Sequence, residues 1–194
     1  MHATTIALSL TEDYAPSWGV WEGVRELVQN WHDGCLRNSG QVDSWTALGG
    51  DAFVAVANGK EVGVLSYDAA KEELQLVNRD VGLARRVLLL GSSHKADSSH
   101  AIGQFGEGMK VGCLALLREG RHVEMSTRDE HWHWTRRLDA SFGVRVLTIE
   151  VTLIAADCRR LPPMAADGRR WLPMATDCSC LPSFASYLSF AFYI

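Results

Sequence analysis

A two-layer α+β sandwich, with helices over a sheet of hairpin-connected strands, is the fold that the sequence predicts. Three observations carry that expectation. Apolar residues recur at helical spacing from Val20 through Trp21, Val24, Leu27, Val28 and Trp31. F-V-A-V-A at 53–57, Asn58-Gly59 and E-V-G-V-L-S-Y at 61–67 read as strand, turn and strand. Stretches at 122–127, 131–138 and 144–151 alternate as strands do, behind a helical apolar run at 109–118. Helices interleaved with hairpin strands argue against a doubly wound parallel sheet.

Taken in order, residues 4–11 alternate loosely and read as an edge strand. Pro16-Ser17 offers a helix start with Ser17 as N-cap, and Gly34 ends that helix. E-L-Q-L-V at 73–77 is a strand feeding Asp80. V-L-L-L-G at 87–91 is short, and Leu83 with Arg85 and Arg86 ahead of it favours helix over strand. On the strand at 131–138, Trp132 and Trp134 face the core. His131 and His133 share the other side, where a metal pair would need a third ligand that the sequence does not offer. Residues 156–185 divide into three decamers centred on proline, a period that matches no solenoid. The chain is therefore expected to comprise a domain at 1–154 and a low-complexity, poorly ordered tail at 155–194.

Composition bounds the function. At 194 residues and 21.4 kDa the chain suits one domain with a real core. Its hydrophobic fraction of 47% and charged fraction of 22% are those of an ordinary globule. A net charge of -4 gives no general electrostatic reason to bind nucleic acid or an anionic membrane. The five cysteines lack zinc spacing and leave one unpaired, which points to a reducing intracellular setting, cytoplasmic or nuclear. The first residues carry no basic leader, and the apolar last fourteen fall short of the roughly 20 that a membrane span needs. A soluble protein is expected.

The chemistry sits in three stretches. On a helix, Glu26, Asn30 and Asp33 fall within a sector of roughly 60°, opposite the apolar stripe. An amide carbonyl suits magnesium, and a carboxylate one turn away can activate water against a γ-phosphate. Alone, such a stripe is more often just the solvated face of an amphipathic helix. I-G-Q-F-G-E-G-M-K at 102–110 supplies glycines whose backbone can approach a ligand, ahead of a helix whose N–H groups favour anions. Lys110 could add a point charge for phosphate or face solvent. The run lacks the G-K-[ST] of a Walker loop and the βαβ frame of a Rossmann fingerprint. Between them, Asp80 closes a strand ahead of Val81-Gly82. A buried carboxylate there could accept from an exocyclic amine and so select adenine.

In this order the three stretches resemble the GHKL superfamily of gyrase B, the ninety-kilodalton heat-shock chaperones, histidine kinases and MutL. The spacing is closest to the chaperone- and MORC-type ATPases. E-L-V-Q-N-W-H-D at 26–33 resembles the family's E-x-x-x-N-x-x-D helix, R-D-V-G-L-A at 79–84 its D-x-G-x-G box, and I-G-Q-F-G-E-G-M-K its second glycine box. The likeness covers roughly residues 20–150. It implies the Bergerat sandwich, a mixed sheet covered on one face by helices, binding ATP and Mg2+. By the same likeness Glu26 is the general base, Asn30 the magnesium ligand, Asp33 a supporting acid, Asp80 the adenine reader, and Gly82 a lining of the base. Gly103, Gln104, Phe105, Gly106, Glu107, Gly108, Met109 and Lys110 form the phosphate-holding box. Ser92 and Lys95 lie in L-L-L-G-S-S-H-K at 88–95, which resembles the segment entering the ATP lid.

Three departures accompany the likeness. Ala84 replaces the second glycine of the D-x-G-x-G box, Gly143-Val144 replaces a frequent Gly-Thr, and no transducer domain is expected downstream of that strand. The expected activity is therefore ATP binding with slow magnesium-dependent hydrolysis. A non-hydrolytic interaction module and a kinase-type phosphotransferase are the rival readings. ATP-dependent dimerisation is an expectation of the family, and the sequence names no protein partner.

Overall fold

A computed structural model describes residues 3–89, 107–154 and 187–193. Its elements run β1 (Thr4–Thr11), α1 (Val20–Ser39), β2 (Ser44–Ala47), β3 (Ala52–Ala57), β4 (Lys60–Asp68) and β5 (Glu73–Arg79). A single 3-10 turn follows at Arg85–Leu88, then α2 (Gly108–Arg118), β6 (His122–Thr127), β7 (Glu130–Asp139), β8 (Val144–Leu153) and β9 (Tyr187–Tyr193). The class is α+β, as the periodicities predict.

The strands form one nine-stranded sheet in the order β1-β8-β7-β6-β9-β5-β4-β3-β2. Every ladder among the described residues is antiparallel. The mixed sheet implied by the family resemblance is thus not what these ladders form. The physical reason is β9, which runs antiparallel between β5 and β6 and separates two strands that would otherwise be parallel neighbours. The expected tail boundary at 155 also needs correction at its far end. Tyr187–Tyr193 is the central strand of the sheet, while 155–186 lies outside the described residues.

Register explains the core. Ile6, Ile149, Trp134, Val123, Phe192, Leu74 and Tyr67 are successive cross-strand partners over seven strands. Because side chains alternate with period two, an apolar row of this kind puts one face of each strand toward the helices. Trp132, Trp134, Leu76 and Leu147 there are at most 1% exposed. They join Leu27, Trp31, Cys113, Leu114 and Leu116 of the helices in one cluster. The helices pack on each other, α1 over β4 and β5, α2 over β6 and β7.

α1 begins one residue after Gly19, whose N–H donates to Glu22 Oε2 at 2.9 Å, so Ser17 is not the cap. It also runs past Gly34 to Gly40, which takes φ +70 and donates to Leu36 O at 2.8 Å. Gly34 is glycine for a different reason. A Cβ there would lie 2.5 Å from Asn78 Oδ1, and Asn78 Nδ2 donates to Trp31 O at 2.8 Å. Asn58 and Gly59 both have positive φ, as the predicted Asn-Gly hairpin requires. The loop from β1 into α1 is held by Arg118 at the end of α2. Its guanidinium donates to the carbonyls of Glu12, Tyr14, Ala15 and Trp18 at 2.7–3.0 Å. Arg118→Ala strips four acceptors at once and is expected to cost about 2 kcal/mol in denaturant unfolding. Arg118→Lys should not restore it, because an ammonium cannot reproduce the planar fork.

Candidate functional site

The described parts of two predicted stretches meet where α1 crosses the start of α2. Glu26, on the second turn of α1, projects its carboxylate onto Gly108, the first residue of α2. A Cβ at Gly108 would collide with Glu26 Oε2 and lie 3.2 Å from its Cδ. Gly108 is therefore glycine because a carboxylate occupies the space, not because of its φ. Gly112 and Gly23 continue the close crossing, since a Cβ on Gly112 would meet Gly23 O at 3.1 Å and Glu26 Cβ at 3.3 Å. The other Glu26 oxygen, Oε1, accepts from Arg25 Nη2 at 2.9 Å.

Asn30 stands one turn on, half-buried, and its Nδ2 donates to Glu26 O at 2.6 Å. That bond fixes the amide with its nitrogen against the helix backbone. Asp33 follows, with a side chain only 5% exposed and Oδ1 lying 3.6 Å from His32 Nδ1. The neighbouring Trp31 anchors this turn to the end of β5 by donating from Nε1 to Val77 O at 2.9 Å. Asn78 returns a bond to Trp31 O, so the Asn30–Gly34 turn is docked on the strand that leads into Asp80.

Asp80 directly follows β5 with φ +54 and is exposed, which corrects the expectation of a buried carboxylate. A left-handed residue just after a strand turns the chain out of the sheet. Gly82 is half-buried beneath the β6–β7 turn. Thr127 Oγ1 accepts the Leu83 N–H at 2.7 Å, a contact that no spacing in the sequence announces. Ala84 has φ -97, so the missing second glycine of the box costs no strain.

Lys110 departs from expectation. It is fully buried and donates from Nζ to Val87 O at 3.0 Å and Leu89 O at 2.6 Å. Burial pushes its pKa below the usual lysine range, and Glu107 opposes that. The ammonium therefore ties the 3-10 turn to α2, and neither a phosphate-facing nor a solvent-facing side chain is what forms. Glu107 caps α2 from the αR region, and Met109 is buried in the core. Ser92, Lys95, Gly103, Gln104, Phe105 and Gly106 lie outside the described residues.

Elsewhere, Trp132 and Trp134 are core residues, as predicted. On the opposite face of the sheet, Glu124 lies between the two histidines, 3.9 Å from His131 Nε2 and 3.6 Å from His133 Nδ1. Among the described residues no group of three or more His, Cys, Asp or Glu could hold a metal ion. A cation beside Asn30 would thus take most of its octahedron from phosphate oxygens and water, the usual arrangement for magnesium. The amide at position 30, its nitrogen held by Glu26 O, has an oxygen of the type that magnesium takes. Cys35 and Cys113 are buried and unbridged, and burial pushes the Cys35 thiol up to about 12 and Cys113 higher, so neither is a nucleophile. Among the described residues no helix is long and apolar enough to cross a membrane. No family model matches the chain, and no curated protein matches its sequence.

Proposed function

We propose that this chain is an ATP-binding domain of the GHKL type that hydrolyses ATP slowly with magnesium. The observation that carries the reading is the approach of the Glu26 carboxylate to Gly108. It sets a base at the mouth of a helix start, where backbone N–H groups attract phosphate. Asn30, held one turn from Glu26, supplies an amide oxygen for Mg2+. The cation, once bound, would neutralise charge on the phosphates. Glu26 would orient and deprotonate the attacking water, and Asp80 would accept from the exocyclic amine of adenine. Lys110 supports the phosphate site from behind, by fixing the turn at 85–88 against α2.

Glu26→Ala is expected to keep ATP binding and lose about 10²- to 10⁴-fold in turnover, the usual contribution of a positioned base. Asp80→Asn is expected to weaken binding itself. Thermal shift with ATP, GTP and ATP plus EDTA tests the ligand first, since a ligand at 100 times its Kd adds about 2.7 kcal/mol of stability. No shift with any nucleotide would end the proposal, and normal hydrolysis by Glu26→Ala would end the assignment of the base. The Arg25–Glu26 ion pair favours one alternative, a module that binds nucleotide without turnover, because it occupies one of the two carboxylate oxygens. Intact binding with no phosphate release in the native chain would decide for it.

A further inference from the structure

The two-residue turn between β6 and β7 carries an arginine where glycine or asparagine would be at home. Thr127 and Glu130 are register partners, leaving Arg128 and Asp129 as the loop, and Arg128 takes φ +55. A non-glycine residue in the left-handed region raises the energy of the turn, and such positions concentrate at functional sites. The turn is docked on the stretch after Asp80 from both sides. Thr127 Oγ1 holds the Leu83 N–H at 2.7 Å, and Glu130 Oε1 accepts from Arg85 Nε at 2.9 Å.

Between these tethers the stem of Arg128 lies directly on Gly82. A Cβ at position 82 would stand 2.8 Å from Arg128 Cγ and 2.8 Å from its Nε. Gly82 has no positive φ, so it is the arginine's approach that excludes a side chain there. Arg128 is exposed, and its guanidinium has no hydrogen bond or ion pair among the described residues. A tethered cation in a left-handed turn, unpaired among the described residues, thus lies on Gly82, two residues along the chain from Asp80.

We propose that Arg128 is a nucleobase-contacting residue of this site, laying its guanidinium plane on the face of the purine that Asp80 holds. The inference rests on the nucleotide reading above and adds a residue to it. A guanidinium stacks on aromatic rings through its delocalised charge, and stacking tolerates either purine while hydrogen bonds discriminate between them. Arg128 therefore contributes affinity, and Asp80 contributes the choice of base.

The test is calorimetric titration of the full chain and of Arg128→Gly with MgATP and, separately, with adenosine. Arg128→Gly is expected to bind both about tenfold more weakly, a loss between those of exposed and desolvated cation–π contacts. Its melting temperature should stay level or rise, because glycine accepts φ +55 without strain. A purely structural arginine would give the opposite pair of results. Unchanged affinity for both ligands overturns the proposal. So does a loss confined to MgATP, which would put the guanidinium on phosphate. Should Arg128→Gly fail to fold, Arg128→Asn replaces it, since asparagine also tolerates positive φ. A native chain that binds neither ligand removes the nucleotide reading, and Arg128's role with it, before any variant is made.

Discussion

Deleting residues 187–194 is expected to cost this protein its cooperative fold. β9 pairs along its whole length with β5 on one side and, from Leu188 to Tyr193, with β6 on the other. Without it the sheet becomes two four-stranded pieces, β1-β8-β7-β6 and β5-β4-β3-β2, joined by no strand ladder among the described residues. Each piece then exposes a fresh edge, and both edges are apolar on the inner face: Leu74 and Leu76 on β5, Val123 and Met125 on β6. Unpaired edges of this kind template association. Phe190 and Phe192 would also vanish from the apolar cross-strand rows. The expected readout is loss of a sigmoidal thermal transition, with aggregation in size-exclusion chromatography. A truncated chain that melts cooperatively at the native temperature would mean that the two half-sheets do not need their shared strand.

Gly108→Ala is expected to separate stability from turnover. An alanine at the first residue of α2 improves helix propensity by up to about 1 kcal/mol. Its Cβ occupies the space of Glu26 Oε2, and the carboxylate, being the far end of a flexible side chain, can swing away. The fold should therefore survive with an equal or higher melting point. Displacing a base by about 1 Å can cost on the order of 10² in rate, so single-turnover hydrolysis should fall by about that factor while nucleotide affinity changes little. If the variant is stabilised and hydrolyses at the native rate, Glu26 does not act from this position. The pairing with Glu26→Ala is informative because the two changes remove the same carboxylate from the site, one by deletion and one by crowding.

Much of the fold was legible because local and tertiary signals agreed. The α1 stripe, the Asn58-Gly59 hairpin and the alternation in β6, β7 and β8 each appear in their predicted places. Two of the misreadings share one cause: a residue chosen by a distant neighbour looks locally like something else. Gly34 resembles a helix stop, yet it makes room for Asn78. Lys110 resembles a phosphate ligand, yet it bonds carbonyls 21 and 23 residues earlier. β2 is only four residues long and all of them are exposed, so no buried face shaped its sequence into a recognisable pattern. β9 was missed for a different reason. Its alternating Leu188, Phe190 and Phe192 carry a strand signal, but the proline-centred decamers before it suggested that the whole tail was irregular.

At the candidate site, sequence placed Glu26, Asn30 and Asp33 on one helix and Gly108 at the start of another. It could not foresee that Glu26 and Gly108 would touch, nor that the β6–β7 turn would lie over Gly82. Those contacts depend on helix crossing and strand order, which no local pattern encodes.

The position of β9 also bears on how the chain matures. Arg79 and Tyr187 are register partners separated by on the order of a hundred residues. At roughly 5–20 residues per second, translation leaves β5 waiting several seconds for its neighbour. Pairings of such long sequence separation are slow to find even in a finished chain. The nascent protein therefore holds two open half-sheets until β9 emerges from the ribosome, and that interval is when chaperone capture or mispairing competes with closure.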